Sequence, residues 1–547
     1  MKKTIYSVFL FLLLVTLGAC SDVLDIDPTD RYSAATVWSS ESVADSYTLS
    51  LYTTFRDHSE IYGNGGYSSP WLTDAYSDIL KSCSWDLYNH NYNKTLFQES
   101  AFNSNSAGAF ECWSDNYGRI RRENEFLRDA PEYGKKFGDD WLKIRIAEVR
   151  FCRAYTYYLL CRVYGGVILR TEVDGPNEND KARSSEEDCW KFIIDELKAA
   201  GEDLPSSWDS GNTGRATKKA AYALLSRVAL YAQNWDVAID VANKVAAEGA
   251  TLDQSYANVF NSSVSNPEIC FACDFLAGAL THNYDTFVRP SGDTQYGKQI
   301  YSAFAPTSEL VDSYEMADGT AFSWDAYGSD PYSNREPRFY ATILYNGASW
   351  MGRTLQTYVG GADGFKAYEN SGSAGTTVTG YYLRKYLRDN DRSYVTNNSS
   401  QYNIVIRYAE VLLNKAEALA ESNWTSNSAQ ALEALNTVRA RVGLPARNAT
   451  TKEAFMECLR HERMVELAGE GFRYWDLRRW KLAEEVINGT SVHGVRITRS
   501  DDGTYSYQQV DADAGNTRIF YNRYYKFAIP LSERSNNKLC TNNEGWI

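Results

Sequence analysis

The sequence predicts a mostly α-helical fold, a scaffold of about four helix pairs that carries large irregular loop insertions and a few short strands. Apolar residues recur at helical spacing over residues 109–250 and 402–490. Within these ranges, helical stretches rich in small residues are followed by a polar break and a second helix. Between residues 251 and 400, Gly, Ser, Thr, Asn and Tyr dominate and a helical period is absent over long stretches. The chain therefore alternates a regular helical frame with irregular segments.

The N-terminus reads as an export signal. Two lysines precede the apolar run Val8–Val15, which is far shorter than the roughly 20 residues that span a bilayer. The following Leu17-Gly18-Ala19-Cys20 resembles a bacterial lipobox, which predicts lipid attachment to Cys20 and cleavage before it. Residues 1–19 are then a signal peptide and residues 20–36 a lipidated tether, while an ordinary signal peptide with a chance cysteine is the alternative. Several acyl chains on one cysteine suffice for stable membrane attachment.

Residues 37–547 are predicted to form a single domain. Its first helix begins near Ser40, which can cap it, and apolar residues then recur at a spacing of four. The remaining regions are a loop-rich segment at 60–108, the helical scaffold at 109–250 and 402–490, an irregular insertion at 251–400 with strand-like runs at Ile269–Phe271 and Phe339–Tyr345, and a C-terminal segment at 491–547.

Two segments show the helix pairs directly. Residues 216–247 form a helix rich in small residues that breaks at Gln233-Asn234, and residues 404–442 repeat the arrangement with a turn at Asn423-Trp424. Alternating small and large residues let two helices pack closely, which makes the scaffold tetratricopeptide-like. Residues 141–164 with 185–201 are predicted as a third pair and residues 451–485 as a fourth.

Composition and motifs speak against several functions. A net charge of −14 and a pI near 5.1 disfavour nucleic acid, which requires a basic face. No two of the five histidines lie three or four residues apart, and no Gly-x-Ser-x-Gly elbow or P-loop occurs. We therefore expect no catalytic residue, no metal and no cofactor, although paired carboxylates of a glycosidase cannot be recognised among 70 acidic residues.

A series of motifs resembles the SusD/RagB family of Bacteroidetes outer-membrane lipoproteins nearly from end to end. The motifs are AEVRFCRAYTYYLLCRVYGGV (147–167), GRATKKAAYALLSRVALYAQNW (214–235), PTSELVDSYEMADG (306–319), REPRFYATILY (335–345), IRYAEVLLNKAEALAE (406–421), LNTVRARVGLP (435–445), RHERMVELAGEGFRYWDLRRWK (460–481) and KFAIPLSERSNNKLC (526–540). Their order and spacing together are more specific than any one of them.

The resemblance implies a nutrient-binding protein at the cell surface. Its implied partner is a SusC-like TonB-dependent outer-membrane transporter, which the protein covers as a lid, and its implied cargo is an oligosaccharide. Asp22, Asp25 and Asp27 after the lipidated cysteine look like the family's signal for display on the outer face. Some members of the family take peptides, so capture of a peptide or another nutrient stays open.

The resemblance also places the ligand site in the early loop and the irregular middle. The candidate ligand-binding residues are Tyr67, Trp71, Asp74, Trp85, Tyr88, Asn89, His282, Tyr284 and Tyr296. Aromatic rings can stack on the C–H face of a sugar, and Asp, Asn and His can bind its hydroxyl groups. Trp71 or Trp85 can equally be a loop anchor that packs on the scaffold. The charged residues of 460–478 (Arg460, Glu462, Arg463, Glu466, Arg473, Asp476 and Arg478) are expected to form a structural ion-pair network, and Arg150 and Arg153 to belong to the scaffold.

Two further functions stay open. A secreted glycan hydrolase would release products from a glycan. A bare tetratricopeptide adaptor would present a basic or hydrophobic groove to a partner, and the long inserted loops speak against it.

Overall fold

The computed structural model describes residues 34–62, 71–85, 91–175, 178–293, 300–388 and 398–546. Within these ranges, eight helices build the scaffold and pack on one another in chain order. They are α1 (Trp113–Tyr133), α2 (Asp139–Tyr164), α3 (Glu186–Asp203), α4 (Lys218–Tyr231), α5 (Trp235–Ala247), α6 (Tyr408–Arg441), α7 (Lys452–Leu467) and α8 (Arg473–Arg479). None of the helices in the described ranges is both long and apolar enough to cross a membrane.

The α4–α5 pair shows why the sequence folds into helix pairs. The Thr217 side chain caps α4 and the Asn234 side chain caps α5, each by accepting a backbone N–H bond in the first turn. Gln233, with φ of +52°, makes the left-handed turn between them. Ala220 and Ala223 are fully buried, so the helix faces that carry them can approach closely. The predicted pair at residues 216–247 is confirmed.

The other predicted pairs are present as well. α6 breaks at Asn423, whose φ of −167° and ψ of 96° are not helical, and the Asn423 side chain accepts a bond from the N–H of Ser426. α2 packs against α3, and α7 is followed directly by α8. α2 is buried on most sides and ends at Gly165 with φ of +73°. The mostly α fold with helix pairs is therefore confirmed.

Short elements build the connecting regions. The α-helices are Ala34–Val37, Glu41–Leu51, Thr53–Asp57, Tyr92–Phe97, Asn258–Asn261, Tyr284–Val288, Ser308–Ser313, Trp324–Tyr327, Pro337–Thr342, Ala483–Ile487 and Leu531–Asn536. The 3-10 helices are Thr73–Tyr76, Glu99–Ala101, Gly108–Phe110, Gly134–Phe137 and Asn522–Tyr525.

The described strands form antiparallel pairs and no larger sheet. They are β1 (Leu80–Ser82), β2 (Ile269–Cys273), β3 (Phe304–Pro306), β4 (Ile343–Leu344), β5 (Ser349–Trp350), β6 (Arg353–Thr354), β7 (Tyr382–Leu383), β8 (Asn403–Arg407), β9 (His493–Arg499) and β10 (Tyr505–Asp511). β1 pairs with β3, β2 with β8, β4 with β7, β5 with β6 and β9 with β10. The strand-like run at Ile269–Phe271 is confirmed as part of β2.

The second strand prediction, at Phe339–Tyr345, is wrong for most of its length. Residues Pro337–Thr342 form a helix, and only Ile343–Leu344 are extended. Pro337 occupies the first helical position, where its fixed φ favours a helix and its missing N–H costs nothing. Arg338 then turns inward into buried acidic groups, a contact that the local pattern does not reveal.

The main core joins the scaffold to the N-terminal helices and to the irregular middle. The Phe55 ring lies 5.1 Å from the Phe151 ring of α2 and 4.9 Å from the Phe271 ring of β2. All three side chains are buried. One continuous apolar interior therefore holds segments that are far apart in sequence.

A buried ion network ties the scaffold to the middle. Its members include Glu268, Glu315, Glu336, Arg338, Lys385, Arg407, Arg439, Arg441, Glu462, Glu466 and Glu470. Glu466 of α7 lies at its centre, with one oxygen 2.6 Å from Arg407 Nη1 and the other 3.0 Å from Arg338 Nη1. Burial raises the pKa of Glu466, but the Arg441, Arg407 and Arg338 guanidinium groups outweigh it and hold that pKa well below its ordinary value.

The other charged residues of 460–478 also have structural partners. Arg463 pairs with Asp476 at 2.8 Å, and Arg473 pairs with Asp78 of the early loop at 2.8 Å. Arg478 donates to the carbonyl of Tyr525. Arg460 lies over the Trp480 ring. In the scaffold, Arg153 and Arg150 of α2 lie against Glu196 of α3.

Removal of the central carboxylate tests the network. Glu466→Gln leaves three buried guanidinium groups without their shared countercharge, so we expect the free energy of unfolding to fall by about 3–5 kcal/mol. Glu457→Gln, at an exposed position of the same helix, should change it by less than about 0.5 kcal/mol. Urea unfolding followed by circular dichroism measures both, and equal losses would contradict a special role for Glu466.

Candidate functional site

The β1–β3 pair brings the early loop and the irregular middle together. Leu80 lies opposite Pro306 and Ser82 opposite Phe304, and the N–H of Cys83 donates to the carbonyl of Ala303 at 2.8 Å. On the other side, the N–H of Trp85 donates to the carbonyl of Gly372 at 2.8 Å. The early loop therefore lies between two segments of the middle region.

Partly exposed aromatic residues mark this end of the β1–β3 pair. We define the aromatic rim as Trp85, Phe97 and Tyr301. The Trp85 and Phe97 rings are stacked with centroids 6.3 Å apart, and Tyr301 stacks on buried Phe287 at 4.8 Å. In an antiparallel pair, the residues after β1 and before β3 lie at the same end, so Trp85 and Tyr301 follow the same end of the β1–β3 pair.

The buried ammonium group of Lys81 contacts the Phe97 ring of the rim. The Lys81 ammonium lies 2.8 Å from Asp513 Oδ1 and 2.6 Å from Asn93 Oδ1. It also lies 3.9 Å from the centre of the Tyr368 ring and 4.7 Å from that of Phe97. Cation–π contacts of this kind strengthen when they are shielded from water. The side chain therefore ties the early loop to the middle region and to the C-terminal segment.

Electrostatics make the Lys81–Asp513 pair interdependent. Burial lowers the pKa of Lys81 to about 8, against the opposing effect of Asp513. Burial raises the pKa of Asp513, but Arg518 and Lys81 outweigh it and bring that pKa to about 2. Arg518 also donates to the carbonyl of Ser77 in the early loop. The pair is fully buried, so its role is to hold the loops rather than to contact a ligand.

A second polar cluster holds the chain that leads up to Asp293. Asp293 accepts a bond from the Trp350 indole at 2.7 Å and pairs with Arg353. Arg353 also pairs with Asp363 at 2.7 Å, and the N–H of Gly292 donates to the same carboxylate at 3.0 Å. These bonds hold Gly292 and Asp293 to residues 350–363 of the middle region.

The structure separates the candidate residues into three groups. Trp71 and Trp85 are half-buried, and Trp71 packs on Phe110 with ring centroids 6.0 Å apart. Asp74, His282 and Tyr284 are buried. The others lie outside the described residues: Tyr67, Tyr88, Asn89, Tyr296 and the lipidation residue Cys20. No ring contact joins Trp71 to Trp85 within the described ranges.

Asp74 is an anchor for the motif region of α7 and α8. Its carboxylate accepts bonds from the backbone N–H groups of Gly469, Gly471 and Arg473 at 2.9, 3.2 and 2.9 Å. Gly471 has φ of +79°, and a Cβ there would overlap the Glu60 side chain. With its oxygens occupied and no exposed surface, Asp74 positions the early loop and offers nothing to a ligand.

His282 and Tyr284 serve a similar purpose in the middle region. His282 Nδ1 accepts the N–H of Tyr284 at 3.2 Å, so Nε2 carries the proton and donates to the carbonyl of Gln401 at 2.8 Å. Burial lowers the pKa of His282 to about 4, which keeps the ring neutral. The Tyr284 hydroxyl donates to the carbonyl of Lys385. Both side chains hold the backbone in place.

Phe97 and Tyr301 were not among the sequence candidates. Phe97 ends the short helix Tyr92–Phe97, and Tyr301 follows a stretch without any period. Neither carries a motif or a spacing that would distinguish it from a core aromatic residue. Only the β1–β3 pairing and the Trp85–Phe97 stack bring them to the rim.

The Glu60 and Asp74 carboxyl groups have raised pKa values, as catalytic carboxyl pairs often do, but they lack space for a substrate. Burial and the neighbouring Asp74 raise the pKa of Glu60 to about 8, and burial raises that of Asp74 to about 6. Glu60 lines a cavity of only about 40 Å³. A single water occupies about 30 Å³ of liquid. A sugar ring therefore has no room beside this pair.

Comparisons with known proteins match the chain to two family models and to a similar protein. A family model described as "SusD family" matches residues 267–546, and another described as "Starch-binding associating with outer membrane" matches residues 23–230. A SusD-like protein of Bacteroides ovatus is 24% identical over 540 residues, covering 93% of this chain and 89% of its own length.

Two solved structures from Bacteroides fragilis are also similar. A SusD-like protein superposes with a TM-score of 0.81 at 29% identity, covering 95% of this chain and all of that one. A SusD-like carbohydrate binding protein superposes with a TM-score of 0.78 at 28% identity, covering 92% of this chain and 99% of that one.

Acid titration tests the buried ion pair between Lys81 and Asp513. The ordinary pKa of Asp513 is 3.8 and its folded pKa is about 2, so its stabilising contribution is present above pH 4 and is lost as the pH falls from about 4 to 2. Asp513→Asn should lower the free energy of unfolding by about 2 kcal/mol at pH 7, and its difference from the parent should shrink towards pH 2.

Exposed Asp501 provides the control for this titration. Asp501→Asn should track the parent at every pH. Chemical denaturation at pH 7, 4 and 3 measures the three proteins, and a loss in Asp513→Asn that is independent of pH would contradict the assigned ion pair.

Proposed function

Since the chain belongs to the SusD family, we propose that it is a lipid-anchored outer-membrane protein that binds an oligosaccharide and delivers it to a SusC-like TonB-dependent transporter. The observation that carries this proposal is the aromatic rim. Trp85, Phe97 and Tyr301 come from two distant segments, remain partly exposed and rest on buried polar contacts. Partly exposed rings on a fixed base suit a ligand with flat apolar faces.

The chemistry of a sugar matches such a rim. A pyranose presents a face of C–H groups that stacks on an indole or phenol, and each such contact contributes about 1 kcal/mol beyond the buried area. A shallow rim with few contacts gives modest affinity. Modest affinity suits a protein that must release its cargo to a transporter.

The relatives support the same ligand class. One structure with 28% identity is that of a SusD-like carbohydrate binding protein, and the N-terminal match is to a family described as starch-binding and associating with the outer membrane. The residues proposed for ligand contact are Trp85, Phe97 and Tyr301 of the rim, with Trp71 and the candidates Tyr67, Tyr88, Asn89 and Tyr296 from the adjoining segments. In the sequence, Tyr88 and Asn89 follow Trp85 and Tyr296 precedes Tyr301, which motivates their inclusion.

Attachment and partner follow from the N-terminal sequence and the family. The lipobox-like Leu17-Gly18-Ala19-Cys20 supports a lipid on Cys20, and the acidic residues that follow it support display on the outer face. A tether of residues 20–36 would let a rigid domain move as a lid beside its transporter. Nothing in this function requires catalysis. The small size of the cavity at Glu60 disfavours a glycan hydrolase that would use the Glu60–Asp74 pair.

Loss of the rim tryptophan tests the ligand site. Trp85→Ala should weaken binding to the recognised oligosaccharide by about five- to tenfold, because it removes a stacking surface. Trp71→Ala should weaken binding if that ring also contacts the ligand. Calorimetric titration against a panel of neutral oligosaccharides measures both variants, with circular dichroism to verify folding.

Trp235, half-buried at the start of α5, offers a matched control. Trp235→Ala should bind the panel as the parent does. If Trp85→Ala also binds as the parent does, the rim is not the site. If the protein binds no glycan and mass spectrometry finds a peptide in the purified protein, the cargo is a peptide instead.

The lipid anchor can be tested apart from the ligand site. Cys20→Ala should keep the parent's ligand affinity in solution, because the site lies in the folded domain. The variant should fail to support uptake of the ligand by cells, because it is no longer held beside its transporter. Growth on the recognised glycan measures uptake, and normal growth of the variant would refute the tethered-lid arrangement.

A further inference from the structure

A second cavity lies on the helical scaffold, among residues that the rim does not use. It has a volume of about 840 Å³ and is formed by the end of α2, most of α3, the α4–α5 turn, α8 with Lys481, and Tyr525–Lys526. Small-molecule sites typically measure about 300–1,000 Å³. The cavity therefore has the size of a ligand site rather than the flat form of a protein interface.

Arg162 is the notable side chain in this cavity. Its Nε is buried without a hydrogen-bond partner, and among the described residues no carboxylate lies within ion-pair distance of it, although Glu60 lines the neighbouring small cavity with it. The guanidinium lies over the Trp475 ring, 4.0 Å from its centre. Buried charge without a partner is costly, so a ligand that supplies a countercharge here gains binding free energy.

Lys481 provides a second cation. Its backbone has φ of +61°, a left-handed conformation that is uncommon for residues other than glycine. Its ammonium lies 4.2 Å from the centre of the Tyr525 ring, and no described acid pairs with it. Partial burial lowers its pKa, and Arg478 and Lys526 lower it further. Positive charge is therefore concentrated at this wall of the cavity.

Glu186, Glu187, Asp188 and Asp195 lie on the α3 wall of the cavity, and two of these four acids are paired with lysines. Glu186 pairs with Lys526, and Asp195 accepts from Lys191 at 2.6 Å. The Asp188 side chain accepts from the Ser185 hydroxyl at 2.6 Å. In contrast, Arg162 and Lys481 keep their charge available. An anionic group would therefore lie at their end of the cavity.

We propose that this cavity is a second ligand site, which binds an acidic saccharide with a sugar carboxylate held by Arg162 and Lys481. A planar carboxylate matches the fork of a guanidinium and can accept two parallel bonds from it. The half-buried Tyr231 and Tyr525 rings line the same cavity, so sugar rings bound there would contact aromatic surface. This site is separate from the aromatic rim and requires charge, which the rim does not.

The test compares trigalacturonate with its methyl ester, which keeps the rings and removes the charge. By calorimetry at low salt, the acid should bind the full-length mature protein at least about tenfold more tightly than the ester. Arg162→Met and Lys481→Glu should each remove most of that preference. Lys135→Ala, an exposed lysine near the other end of α2, should not change it.

The outcomes separate this proposal from the function proposed for the rim. Trp85→Ala should leave trigalacturonate binding unchanged, and Lys481→Glu should leave neutral glycan binding unchanged. Lys481 is exposed, so its substitution keeps the fold even if Arg162→Met unfolds. Equal binding of acid and ester, or unchanged binding in Lys481→Glu, would overturn the proposal. Displacement of trigalacturonate by hexaglutamate at equal or lower concentration would also overturn it, in favour of an acidic peptide.

Discussion

Buried charge, paired across segments that are distant in sequence, is the constraint on which the rest of this structure depends. Glu466 accepts bonds from Arg338 of the middle region and from Arg407 at the end of β8. Because each charge is out of reach of water, none of the segments can move away without leaving an uncompensated ion. The irregular middle is thereby joined to the helix pairs as firmly as the helices are joined to one another.

Polar contacts of buried charged groups also hold the early loop. Asp74 binds three backbone N–H groups between α7 and α8, and Arg473 pairs with Asp78. Lys81 and Asp513 then tie the early loop to the C-terminal segment. Polar side chains that look like ligand contacts in a loop therefore serve as loop anchors. The surface left for a ligand is formed mainly by aromatic rings, which need no partner for their faces.

Charge has a different use in the scaffold cavity. Among the described residues, cations such as Arg407 and Arg439 are paired with acids, whereas Arg162 and Lys481 lie against aromatic rings. A ring face stabilises a cation without neutralising it. Under the two proposals, the cations of the cavity would bind an anionic ligand. The rim would bind a ligand by its shape and by stacking. The two proposed sites therefore present different chemistry to a ligand.

The sequence by itself determined the class of fold, the positions of the helix pairs and the family. Helical period, capping residues such as Thr217 and Asn234, and small-residue faces are local features, and local features can be read without coordinates. The turns at Gln233 and Asn423 were predicted correctly for that reason.

Only the tertiary structure decided which loop residues face outward. Asp74, His282 and Tyr284 have the residue types of a sugar site, but they are buried because backbone groups far away in sequence need their hydrogen bonds. Phe97 and Tyr301 reach the rim because β1 pairs with β3 across more than two hundred residues. Burial and pairing across such distances depend on how the whole chain packs, and a loop without a period carries no local record of that packing.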